Sequence, residues 1–301
     1  MAIRGPDLIM QDLLYYLYHS LFPVNAKPGL LWYEDNNLGV NGGVPLDMYT
    51  KFDEIAWQFV PIDVYLLHMV VLSNCPATWL TGTLLPFLAR GDIALALDAE
   101  GATWTQWGGR EAIFTREMKL LERLSLLGIP VRYISLQSAL SKRTPDKSEY
   151  PLGKRIYDIK RYIETAWHFH PEACVGLIDA APTLGMNWRK MYTELLSKVG
   201  DLSYLHLDAP YHHIRGWFDL SWREINQVAE FVKAQRMDFG LLVTAANQSN
   251  AGFVKDVTKM HHEARKMLGY QDTILTSWFP YPDNTVPLIT DLLNHLKKEK
   301  S

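Results

Sequence analysis

The chain has little of several things that would settle its class at once. It has two cysteines, Cys75 and Cys174, in 301 residues. They are too few for a disulfide scaffold and too far apart for a cysteine metal site. They read as buried free thiols, with a single bridge between them left open. No apolar run reaches the ~20 residues of a membrane span. No basic run is longer than the Lys-Lys-Glu-Lys near the C-terminus, and the net charge is −3, which argues against nucleic acid as a partner. No G-x-G-x-x-G follows any expected strand, so a dinucleotide fold lacks its signature. Composition does not break along the chain, so residues 1–301 read as one domain.

Asp7–Phe22 is apolar but carries Gln11, Asp12 and His19. It reads as an amphipathic helix rather than a signal peptide. Residues 1–28 then form an N-terminal helical extension. The compartment is expected to be the cytoplasm, or the outside if a signal has been removed.

What the chain does have is a repeated scheme. Ile93–Trp104 begins with period-two alternation, as a strand does. Leu95 and Leu97 share one face; Ala94, Ala96, Asp98 and Glu100 share the other. Seven more units follow this strand-then-helix order. Strand one runs through Gly29–Glu34. Strand two is expected in Ile62–Leu72, ending at Asn74. Strand four ends at Gln137, strand five at Asp179 and strand six at Asp208. Strand seven ends at Asn247 and strand eight at Trp278. Arg110–Leu127 is a helix stopped by Gly128, and Gly200 and Gly269 stop two others. Ser221-x-x-Glu224 is a capping box. Such alternation implies parallel strands with helical crossovers, and eight units fit an α/β (β/α)8 TIM barrel with an extra N-terminal helix.

In such a barrel the functional groups stand at the C-terminal strand ends. Those ends supply Glu34 and Asp35, Asp98 and Glu100, Asp179, and Asp208. None supplies a lysine, so a Schiff base has no candidate. An acid on an apolar strand is costly unless paired or wet. A capping or salt-bridge role explains any one of these acids; it explains the whole ring less well. Aromatics gather after the same ends: Trp104 and Trp107, Trp188, Tyr211, Trp217 and Trp222, Trp278 and Tyr281. Aromatic faces suit the C–H faces of sugar rings, though Trp217 and Trp222 could equally staple the next helix.

Acids beneath aromatics at a barrel mouth resemble the glycoside hydrolase superfamily of (β/α)8 enzymes. Leu-Asp-Ala-Glu-Gly at Leu97–Gly101 looks like the strand-end D-x-E of several such families. The resemblance implies a glycosidase acting on an oligo- or polysaccharide. The commonest retaining clan has its acids at the ends of strands four and seven. Here those ends carry Gln137 and Asn247, so that pair does not transfer.

The catalytic set must come from Glu100, Asp208, Asp98 and Asp179. Glycoside hydrolysis needs a protonated acid and a carboxylate. Glu100 is expected as proton donor and Asp208 as the opposing carboxylate. Glu34, Trp104, Gln137, His206, Tyr211, Asn247, Trp278 and Tyr281 are expected around the substrate, with His206 equally readable as a core histidine. No cofactor and no metal are expected. The alternatives are a metal-dependent sugar isomerase or hydrolase, using His206, Asp208, His212 and His213 with Glu34 or Glu100, and a barrel that binds a glycan without cleaving it.

Overall fold

The structure, a computed structural model, describes residues 29–35, 61–102, 110–140, 150–180, 187–200, 202–214, 220–246, 249–269, 271–276 and 286–298. The expected N-terminal extension and Trp104, Trp107, Trp217, Asn247, Trp278 and Tyr281 lie outside the described residues.

Eight parallel strands close into a barrel in chain order. They are β1 Leu31–Asp35, β2 Val64–His68, β3 Ala94–Ala99, β4 Tyr133–Gln137, β5 Cys174–Ala180, β6 Tyr204–Asp208, β7 Asp238–Val243 and β8 Asp272–Leu275. The helical layer is α1 Met69–Asn74, α2 Ala77–Trp79, a π segment Leu80–Leu84, α3 Leu85–Gly91, α4 Arg110–Leu126, α5 Leu152–Phe169, α6 Trp188–Val199, α7 Trp222–Ala234, α8 Asn250–Leu268 and α9 Val286–Lys298. The barrel read from strand–helix alternation is therefore present.

Two apolar cores divide the strands by parity. Leu95, Leu97, Leu205, Leu207, Leu241 and Val243 face the helices. Trp32, Leu66, Ala96, Ile178, Tyr204, Leu242 and Ile274 fill the barrel. Inside, the Trp32 ring lies 4.8 Å from Tyr133 and 5.6 Å from Tyr204, centroid to centroid. Gly176 makes room for this stack, since a Cβ there would overlap the Tyr204 ring. These large rings floor the mouth above them.

Three local features depart from the expected pattern. The apolar run Ile62–Leu72 is not one strand. It turns from β2 into α1 at His68, so Asn74 ends a helix and His68 ends the strand. The helical stretch from Ala77 to Gly91 is interrupted by a π segment before Pro86. Proline has no N–H to give in a regular ladder, and the wider i→i+5 bond, Leu85 N–H to Leu80 O, passes over the gap. Third, Asp179 lies at the wrong parity for the mouth: Ile178 and Ala180 flank it on the inward side. The capping box is formed, with the Ser221 oxygen accepting from Glu224 N and the Glu224 carboxylate accepting from Ser221 N. Gly128 and Gly200 close α4 and α6 at φ 68° and 79°. Cys75 and Cys174 are both free, and among the described residues no helix is long and apolar enough to cross a membrane.

Candidate active site

Period two carries one inward side chain from each strand to the C-terminal mouth. They are Glu34, His68, Asp98, Gln137, Ala180 and Asp208, with Thr244 and Thr276 continuing the parity of Leu242 and Ile274. Seven of these eight are polar. These strand-end positions thus supply three acids, one histidine, one amide and two hydroxyls over an aromatic floor.

Asp98 is wholly buried, and neither carboxylate oxygen has a hydrogen-bond partner among the described residues. Burial pushes its pKa well up. The charge of His68 pulls it down, and Glu34, Glu100 and Glu117 push it up again. Asp208 is pushed up to about 7, by burial first and by Glu34 second. Glu34 therefore acts electrostatically on both. Carboxyls brought together out of water cannot all ionise, and the proton stays on those worst solvated.

His68 is the basic side chain that faces them. Its ring Nε2 lies 3.5 Å from Glu100 Oε1 and 4.0 Å from Asp98 Oδ2. Burial pulls its pKa down, but the Glu100 contact and the charges of Asp98, Glu100 and Glu117 outweigh that, leaving it above the ordinary histidine value. The other nitrogen, Nδ1, accepts from Val70 N at 3.2 Å and caps α1. That bond fixes the proton of the neutral ring on Nε2, the atom turned toward the acids.

Glu100 stands one residue past β3, held by a buried acid from the helix layer. Glu117 of α4 accepts from Glu100 N at 2.8 Å and from Gly101 N at 2.9 Å. It also accepts from the Tyr162 hydroxyl at 2.8 Å. Burial still pushes Glu117 up to about 7 against these bonds.

The sequence expectations divide here. Glu100, Asp208, Asp98, Glu34 and Gln137 come to one mouth. Asp179 does not: it faces the helices with Val175 and Leu177, and accepts from the Tyr192 hydroxyl at 2.9 Å. Burial raises it to about 7, opposed by Tyr192, the Leu140 main chain and Arg155. It is a structural acid. Tyr211 is buried and donates to Glu263 Oε1 at 3.1 Å, so its hydroxyl is spent beneath the rim. Trp222 donates to the same carboxylate, the stapling role. His206 is the core histidine, edge-on to Trp32 at 4.5 Å and 3.5 Å from Asp272 at the start of β8. It lies one inward layer below Asp208, too deep for a substrate. His212 accepts from Ala246 N at 3.3 Å and packs on His213 with centroids 4.3 Å apart.

Sequence reading passed over His68, Glu117, Thr244 and Thr276. Each left a trace. His68 shares the parity of Val64 and Leu66. Glu117 falls in the apolar stripe Ile113, Glu117, Leu121, Leu124 of α4, where a charged residue has to be partnered. Among the described residues, no group of three or more His, Cys, Asp or Glu side chains is arranged to hold a metal ion.

No family model and no curated protein sequence matches the chain. Solved structures do. Xylanase 10B from Thermotoga maritima superposes with a TM-score of 0.56 at 11% identity, covering 95% of this chain and 98% of that one. The 3-keto-D-glucoside 4-epimerase from E. coli gives 0.51 at 11%, covering 90% and 99%. The D-psicose 3-epimerase from Clostridium cellulolyticum H10 gives 0.52 at 10%, covering 90% and 98%. At these identities the likeness is one of fold: the (β/α)8 architecture, here as in the xylanases, with no activity carried across by it.

Proposed function

We propose that the chain is a carbohydrate-active enzyme of the glycosidase type, with Asp208 and Glu100 as its carboxyl pair. The observation that carries this is Asp208. It is an inward acid at the mouth, held near pKa 7 by burial and by Glu34, while Glu100 faces the His68 ring. Two carboxyls in contrasting environments at one cleft are what acid-assisted glycosidic cleavage uses. The burial of Asp208 exchanges the roles expected from sequence. Asp208 donates the proton to the leaving oxygen, and Glu100, backed by His68, serves as the carboxylate. Asp98 and Glu34 hold the local field, and Gln137, Thr244 and Thr276 offer partners to sugar hydroxyls. Trp104, Trp278 and Tyr281, which follow β3 and β8 in sequence, supply the stacking faces in this proposal. The similar folds of a xylanase and of two sugar epimerases support a sugar as the substrate class.

The test is turnover of a broad glycan panel by wild type, Glu100→Gln and Asp208→Asn. Asp208→Asn keeps shape and removes the proton donor, worth about 10²–10⁴ in rate, and Glu100→Gln keeps shape and removes the opposing carboxylate. Wild-type cleavage lost in both variants supports the pair. Full activity in both variants overturns it. Glycan binding with no cleavage by wild type gives the binding-barrel reading instead. Activity abolished by chelation gives the metal-dependent isomerase or hydrolase.

A further inference from the structure

The outer wall carries a second polar concavity, independent of the mouth. A cleft of about 340 Å³ opens between the end of α1 and one face of α4, lined by Ser73, Thr115, Arg116, Lys119, Leu120 and Arg123. Arg116, Lys119 and Arg123 follow at spacings of three and four residues, so they share one helix face. Glu117, their neighbour in sequence, is buried toward the barrel on Glu100 and Gly101 and lends them no charge compensation. The facing segment gives none either: from Met69 to Gly91, through α1, α2, the π segment and α3, there is no acidic residue.

The cations are also available. Elsewhere helix-borne cations meet acids, as Arg161 meets Glu111, Lys198 meets Glu194 and Lys259 meets Glu263. Arg116 Nε is buried with no hydrogen-bond partner among the described residues, and Lys119 meets no carboxylate there. Arg123 is positioned by one bond, Nη2 to Cys75 O at 2.8 Å. Its other N–H groups remain to be used. Ser73 has committed its proton to Met69 O at 2.8 Å, so its oxygen faces a ligand as an acceptor. Two forked guanidinium groups and an ammonium suit a tetrahedral oxyanion. An acceptor hydroxyl beside them suits a ligand that also carries an O–H.

We propose that the α1–α4 cleft is a binding site for a phosphate or sulfate group, free or carried as the ester of a hydroxylated small molecule. It is accessory to the mouth and does not depend on what the mouth does.

Isothermal titration of the full chain with inorganic phosphate, at constant ionic strength against chloride, tests it. Glucose 6-phosphate is titrated in parallel. Arg116→Gln with Lys119→Gln removes two half-exposed or exposed cations and leaves Arg123 on Cys75, so the fold is kept. Arg189→Gln with Lys190→Gln, on the outer face of α6, removes the same charge elsewhere. The expected result is saturable binding at one site per chain, weakened at least tenfold in the first variant and unchanged in the second. Tighter binding of glucose 6-phosphate identifies an ester as ligand; equal binding identifies the free oxyanion, and both support the site. Phosphate heats that match chloride, or equal weakening in both variants, overturn it.

Discussion

Glu117 accepts the main-chain N–H of Glu100 at 2.8 Å, although one belongs to the helix layer and the other to the barrel mouth. With Gly101 N and the Tyr162 hydroxyl it completes three charge-assisted bonds on one buried carboxylate. The turn that carries Glu100 is thus fixed from behind rather than by its own sequence.

Glu117→Ala should therefore take the acceptor from the Glu100 and Gly101 main-chain donors and leave the Tyr162 hydroxyl only Met69 Sδ at 3.3 Å. Each orphaned donor costs about 1–3 kcal/mol, and denaturant unfolding should show a loss of at least that size. Glu117→Gln keeps one acceptor but turns an NH₂ toward a donor, so it should lose less than the alanine. An alanine variant as stable as wild type would remove the strut.

Stability should fall as pH rises from about 5 to 8. Glu117, Asp179 and Asp208 have folded values near 7, against ordinary carboxyl values near 4. The folded state then binds more protons than the unfolded chain across that window, so raising the pH favours unfolding. His68, raised above 6.5, adds a loss in the same direction as pH passes its folded value. His170, lowered by burial, opposes them below 6.5. Scanning calorimetry across pH 5 to 8 should show a declining melting temperature. Asp179→Asn should flatten the decline, because it removes one titration and keeps an acceptor for Tyr192. It should also leave any glycan turnover unchanged, since Asp179 faces away from the mouth.

The Asp179 placement shows where sequence reading reaches its end. In β6, Tyr204, His206 and Asp208 contrast with Leu205 and Leu207, and the inward face was legible. In β5, Val175 and Leu177 alternate with Gly176 and Ile178. A parallel strand buried on both faces is apolar on both, so hydrophobicity cannot choose the parity of the next acid. His68 was hidden by the same cause in another form. The apolar run simply continues from a strand into a helix, and only the cap at Val70 marks the change. The eightfold alternation, by contrast, needed no parity at all, and the barrel followed from it.

Gly176→Ala tests the floor of the mouth. Its Cβ would overlap the Tyr204 ring, which is already packed on Trp32 and hydrogen-bonded to Ser135 at 2.9 Å. Overpacking of this kind costs about 1–3 kcal/mol. Thermal or denaturant unfolding should register it, and a variant with unchanged stability would mean that the stack yields easily.

His68 separates structure from electrostatics within one side chain. Nδ1 caps α1 through Val70 N, and Nε2 faces Glu100 and Asp98. Protonating Nδ1 would cost the cap, because an imidazolium has no acceptor left. Asparagine can keep the cap, since it is among the preferred capping residues, whereas alanine forfeits about 1 kcal/mol. Neither can carry a positive charge. On the proposed mechanism both variants should lose turnover on a cleavable glycan, with only the alanine variant losing stability. The acidic limb of the rate–pH profile should also move upward in both, because Asp98 loses the His68 charge that pulls its pKa down. Turnover that tracks stability alone, intact in His68→Asn and reduced only in His68→Ala, would assign His68 to the cap and not to the chemistry.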